Sequence, residues 1–297
     1  MMKFFTCLAA LAISGSAFAQ DKPDKSAEVK PQKDAATEKL TTSGLLKPTL
    51  IESADLLVYT SWPDAKAKSL AAGVQRVFEL ARKSLKFEPT DSPWAGKLTV
   101  FFLPERKDFN TFVRLVEQRK PDPGDTTSVQ VRSKEPYILV GLDADSKFTE
   151  AETAGEVGAA VSEALLNVKA GVTAGAVALP TWVTTGFGKL MALRVEGNAA
   201  KFAAYRLKAK GLIAKGKAWK AADAWGEAKS KETDIVAISV IEFLMSGPDP
   251  MKFTKVLSGF KPSDERPNPT LEQALEVADY NPDTLDAAWK AWLAKVK

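Results

Sequence analysis

Leu179-Pro180-Thr181-Trp182-Val183-Thr184-Thr185-Gly186 starts a helix, with proline near the first turn, where its missing N–H leaves no gap in the ladder. The segment upstream, from Thr149 to Val168, reads as another helix. Thr149 and Glu152 form a capping-box pair, and Ala154, Val157, Val161, Ala164, Leu165 and Val168 recur at helical spacing. Small residues mark both segments: Gly155, Gly158, Ala159 and Ser162 in the first, Thr185, Gly188 and Ala192 in the second. Facing stripes of this kind let two helix backbones approach closely, so a packed contact rather than an open cleft is expected between them.

Working outward, the N-terminal side is strand-bearing. Leu56-Leu57-Val58-Tyr59-Thr60 and Leu98 to Leu103 read as strands. Between them Pro63-Asp64 opens a helix with Ala67, Leu70, Ala71, Val74, Val77, Phe78 and Ala81 at helical spacing. Phe109, Phe112, Val113 and Val116 form the apolar stripe of the next helix, and Val129-Gln130-Val131 and Tyr137-Ile138-Leu139-Val140 read as paired strands. The C-terminal side is helical, with segments expected at about 199–213, 233–246, 250–259, 270–279 and 282–296. Thr270 with Gln273, and Asn281 before Pro282, are caps for the last two. The fold class is therefore α+β: a small N-terminal mixed sheet with three or four strands and its helices, followed by a helical half.

Three regions divide the chain. Residues 1–19 read as an export signal: Lys3, an apolar run from Phe4 to Ile13, then Ala17-Phe18-Ala19 before Gln20. Residues 20–46 carry five basic and five acidic side chains and few large apolar ones, which predicts a disordered charged linker. Residues 47–297 form the folded domain. The expected localisation is exported, periplasmic or extracellular, with no transmembrane segment once the signal is removed, because no further run reaches about 18 apolar residues.

Composition excludes more than it selects. The chain has no histidine, and its one cysteine, Cys7, lies in the export signal. That removes His general bases, Ser-His-Asp and Cys-His pairs, and His or Cys zinc sites. The net charge of +4 becomes +3 when Lys3 is lost with the signal, too mild for a specific nucleic-acid binder. The basic excess is local: residues 201–231 hold nine basic and two acidic side chains with Trp219 and Trp225. An anion-binding face and an ordinary solvated helix face with inward tryptophans both fit this segment.

The order strand, helix, strand, helix, strands, helix, then L-P-x-W and further helices resembles the secreted peptidase MA-like proteins of the gluzincin group of zinc metallopeptidases. The tail adds Ile241-Glu242-Phe243-Leu244 and Trp289-x-x-Trp292-Leu293. The resemblance covers roughly residues 50–295 and implies a gluzincin-like architecture. Its H-E-x-x-H slot falls on Ser162-Glu163-Ala164-Leu165-Leu166, and its third zinc ligand on Thr185. In that family the two histidines and the later glutamate hold zinc, and the first glutamate is the general base. Here Glu163 is kept, while Ser162, Leu166 and Thr185 replace all three ligands.

What the resemblance implies is a degenerate, non-catalytic relative, with no metal and no cofactor, acting by binding or as a structural component of the cell envelope. Its partner is a protein or an anionic envelope polymer. Two alternatives stand beside it: an active hydrolase using a carboxylate or Ser/Lys site that no motif locates, and a polymer binder working through residues 201–231. No S-x-x-K pair stands at a helix start. Asp143-Ala144-Asp145-Ser146 lacks the glycine and distal glutamate of a calcium loop and reads as a turn.

Overall fold

The computed structural model describes residues 26–131, 135–142, 146–171, 179–197, 199–214, 220–225 and 230–296. The expected export signal, residues 20–25, the Asp143-Ala144-Asp145 turn and Trp219 lie outside these.

Among the described residues five strands form one mixed sheet. They are β1 (Thr49–Glu52), β2 (Leu56–Thr60), β3 (Leu98–Phe102), β4 (Thr127–Gln130) and β5 (Tyr137–Val140), in the order β1-β2-β3-β5-β4. β2, β3 and β5 are parallel, with Val58, Val100 and Ile138 in register. β1 and β4 are antiparallel to their single neighbours, and Thr127–Gln130 pairs with Tyr137–Val140. The central strands are buried on both faces, which is why LLVYT and LTVFF read as unbroken apolar runs.

Side chains alternate across this sheet. Leu56, Val58, Val100, Phe102, Ile138 and Val140 join the larger core, with α2 (Asp64–Ser84) and α4 (Glu150–Lys169). Leu57, Tyr59, Phe101, Leu103 and Leu139 face the other way, into a second core with α1 (Ser26–Thr42) and α3 (Arg106–Leu115).

The helix α1 corrects the expected linker. Residues 26–42 are helical, and Val29, Ala36 and Leu40 are buried on the second core. The three share a face because they lie seven and four residues apart. Between them the Gln32 amide donates to Ala95 O at 2.9 Å and Lys97 O at 3.1 Å, and its oxygen accepts from Lys97 N at 3.0 Å. Gly96 makes room for this: it has φ +61°, and a Cβ there would lie 2.5 Å from Gln32 Oε1. Ion pairs Lys33–Glu52 (2.5 Å) and Lys39–Glu135 (2.6 Å) flank the contact. Low overall apolarity does not leave this segment loose, since a few well-spaced apolar groups and one amide suffice to dock it.

The helical half comprises α5 (Thr181–Val195), α6 (Ala199–Ala214), a short 3-10 helix (Ala221–Ala224), α7 (Lys231–Ser246), α8 (Lys252–Gly259), α9 (Leu271–Val277) and α10 (Pro282–Lys295). The capping boxes at Thr149, Thr270 and Asn281 are formed. Trp289, fully buried in α10, donates from Nε1 to Ser239 Oγ of α7 at 3.0 Å, tying the last helix to the core. The architecture is α+β, with helices making up 59% of the described residues and the sheet at the N-terminal side. Among the described residues no helix is long and apolar enough to cross a membrane.

Candidate functional site

The helices α4 and α5 meet along the small residues read from the sequence. A Cβ on Gly155 would lie 3.6 Å from Ala192 Cβ, and one on Gly188 would lie 2.6 Å from Ala159 O and 2.8 Å from Glu163 Cγ. Gly158 is an exception to the shared face: its Cβ would strike Val77 of α2 at 2.7 Å.

This contact fixes the surroundings of the four positions that the resemblance singles out. A helix turns about 100° per residue, so Ser162 and Leu166 stand about 100° and 60° round from Glu163, on the side where Gly155 and Ala159 meet α5. Both are fully buried. The Ser162 hydroxyl is spent on Gly158 O, four residues back, at 2.9 Å. Leu166 belongs to the larger core. Glu163 and Thr185, by contrast, are half-exposed and line a common cleft. The structure thus brings together two of the four positions and separates two.

That cleft is the feature the small-residue stripe did not foretell. It opens on the other flank of Glu163, with a volume of about 240 Å³. Its floor is α4 (Glu156, Ala159, Ala160, Glu163) and one wall is the first turns of α5 (Thr181, Trp182, Thr184, Thr185, Lys189). The first turn of α7 adds Thr233 and Asp234, and Thr126 and Thr127 bring in strand β4 at the sheet edge. The expectation of a packed contact in place of a cleft is therefore corrected: the contact and the cleft coexist on adjacent sides of α4.

Three carboxylates and one ammonium line the cleft. Lys189 Nζ donates to Asp234 Oδ2 at 2.5 Å. Burial pulls the Lys189 ammonium down, but the hydrogen bond and charge of Asp234, with Glu156 and Glu163 nearby, outweigh it and hold the group above its ordinary value. It is a cation throughout the neutral range. Trp182, 3% exposed, stacks on Trp225 with ring centroids 6.0 Å apart, and its indole Nε1 meets no acceptor among the described residues.

Zinc is the group that the resemblance implies, and these side chains do not fit it. The two positions meant for histidines face away from the cleft, Thr185 offers only a hydroxyl, and Asp234 is held by an ammonium. No set of three or more histidine, cysteine, aspartate or glutamate side chains among the described residues is grouped to share a metal ion.

Lys189, Asp234 and Glu156 went unnamed in the sequence reading. One signal for Glu156 was present: it lies seven residues before Glu163, hence on the same helix face. Thr181, Thr184, Thr185 and Lys189 likewise recur at helical spacing. Asp234 carries no local signal.

Three of the nine basic side chains of the 201–231 segment are committed within the fold, while Lys208, Lys220 and Lys231 are exposed. Lys201 pairs with Glu196 at 2.8 Å, Arg206 Nε donates to the fully buried Glu242 at 3.0 Å, and Lys210 Nζ donates to Val296 O at 2.5 Å. Trp225 points inward, against Trp182. Residues 215–219 and 226–229 lie outside the described part.

No protein-family model matches the chain, and a search of curated proteins gave no match.

Proposed function

We propose that the protein is an exported, non-catalytic binding protein built on a gluzincin-like architecture, and that it holds an extended polypeptide segment along the cleft beside Glu163. The observation that carries this reading is the side-by-side arrangement at α4. Its Ser162–Leu166 side, where the resemblance places metal ligands, is filled by α5, while its Glu156–Glu163 side stays open and polar beside an edge strand.

Among the described residues strand β4 pairs only with β5, so the outer side of residues 127–129 is the place where an added strand would lie. An extended segment laid there makes main-chain hydrogen bonds and directs alternate side chains into the cleft. The residues present support holding such a segment rather than cutting it. Ser162, Leu166 and Thr185 give Glu163 no neighbouring imidazole or carboxylate set to hold a metal, and the Lys189 ammonium, held protonated by Asp234, is not a base near neutral pH.

The test is binding and turnover on the same sample. Fluorescein-labelled extended peptides of eight to twelve residues are expected to bind, by fluorescence polarisation, and to be recovered uncut by mass spectrometry with or without added zinc. Thr185→Arg, which fills the cleft from a half-exposed position, should abolish binding while the melting curve is kept. Cleavage of a bound peptide, or binding unaffected by Thr185→Arg, would overturn the proposal.

A further inference from the structure

A cavity of about 340 Å³ lies where the end of α5, the start of α6 and the end of α7 meet. It shares no lining residue with the cleft beside Glu163. Its ionisable side chains are Arg194 from α5, Arg206 from α6 and Glu242 from α7. Arg206 and Glu242 neutralise each other. Nε and Nη2 of Arg206 both donate to Glu242 Oε1, at 3.0 and 2.5 Å, and the guanidinium lies 4.6 Å from the centre of the Phe202 ring, one turn earlier on α6. Arg194 is placed differently. It is half-buried, its Nη2 donates to the Ser246 hydroxyl at 2.6 Å, and among the described residues no carboxylate pairs with it. Burial pulls this guanidinium below its ordinary value, the Glu242 charge opposes that, and the Arg206 charge adds to it. It stays a cation all the same, as arginine does in proteins. The cavity therefore holds one positive charge in excess, in a partly desolvated place where such a charge is costly until an anion joins it.

We propose that this cavity is a binding site for a small monocarboxylate with a short apolar body, separate from the polypeptide-binding cleft. The carboxylate meets Arg194, whose guanidinium has N–H donors beyond the one given to Ser246. The Ser246 hydroxyl accepts from Arg194 and so keeps its own proton to donate to the same anion. Leu193 and Phe202 give the cavity an apolar lining for the rest of the ligand. An apolar cavity of about 150 Å³ holds one benzene, so the space here takes a carboxylate with a chain of about six carbons. The charge count selects a monoanion. One negative charge cancels the excess, whereas a second meets the Glu242 carboxylate in the same partly desolvated space.

Hexanoate, acetate, 1-hexanol, hexylamine and inorganic phosphate test this, titrated at neutral pH and followed by calorimetry and by the Arg194 Nε–H signal in NMR spectra. Hexanoate is expected to bind saturably and to shift that signal. Acetate, which lacks the methylene chain, should bind about tenfold more weakly or worse. Hexanol lacks the charge and hexylamine reverses it, and each should lose about tenfold or more. Arg194→Gln should abolish hexanoate binding with the melting temperature kept or raised, since it removes a charge that has no acidic partner. Ser246→Asp, at an exposed position, sets a carboxylate beside Arg194 and should block binding as well. Thr185→Arg, in the other cleft, should leave hexanoate binding unchanged, so this site and the polypeptide-binding reading fail independently. Absence of saturable hexanoate binding, hexanol or phosphate binding as tightly as hexanoate, or hexanoate binding untouched by Arg194→Gln and Ser246→Asp would overturn the proposal.

Discussion

Leu40→Ala tests whether α1 is part of the domain. Leu40 is 1% exposed, in the second core with Leu57, Phe101 and Leu139. Truncating a buried leucine costs about 2–5 kcal/mol, from lost transfer energy and the cavity left behind. The loss falls on the docking of α1, which can detach without unfolding the whole domain, so the readout must report local opening. Trypsin at Lys33 does so. Cleavage there requires the helix to leave the sheet, and the rate follows the population of the open form when closing outpaces cutting. At about 1.4 kcal/mol per factor of ten, a cost near 3 kcal/mol predicts cleavage about a hundredfold faster than in the parent. Glu38→Ala, at an exposed position of the same helix, should be cut at the parental rate. A free linker would be cut at the rate of an unstructured peptide in all three proteins. That outcome, or a Leu40→Ala rate within threefold of the parent, would refute the docked helix.

Gly158→Leu and Gly188→Leu should each destabilise the fold by about 1–3 kcal/mol in denaturant melts, because their side chains would meet Val77 and the Ala159 carbonyl; parental stability in both would mean that α4 is not packed as described. Glu52 is held below its usual 4.5 by hydrogen bonds from Lys33 and Lys97. Its contribution is therefore fully present above pH 4.5 and lost as pH falls through the lowered folded value, so amide protection factors of α1 should fall between pH 5 and pH 3, and constant protection would contradict the pairing. In Asp234→Asn, the Lys189 pKa, followed by NMR titration, should fall from its raised value as burial loses its main counterweight; an unchanged value would show that the ion pair is not what raises it. Ser162→His combined with Leu166→His should lower stability and bind no zinc by elemental analysis, since both positions are fully buried; one tightly held zinc per chain would restore a metal reading of this helix.

The layers of the fold were legible because each rests on a local signal. Unbroken apolar runs locate β2, β3 and β5, period-3.6 apolar patterns locate α2, α3 and α4, and capping pairs fix where α4, α9 and α10 begin. Two corrections share one cause: residue identity alone describes a linker over residues 26–42 and a closed contact at α4, whereas what decides each is direction. In α1, Pro31 and a charged composition hide three buried side chains that matter only because they share a face turned to the sheet. In α4, residues four apart share a face, but no motif says which neighbour that face meets. The position of α5 answers that, through Gly155, Ala159, Gly188 and Ala192, and it turns Ser162 and Leu166 into core while leaving Glu156 and Glu163 to the cleft. The cleft itself joins Thr127, Glu163, Lys189 and Asp234 from four elements, and the Lys189–Asp234 pair spans 45 residues. A charge pair at that separation leaves no periodic trace in the sequence, so it becomes visible only once the packing of α5 on α7 sets it. The shape of this cleft is set less by any one motif than by which flank of α4 its neighbour leaves uncovered.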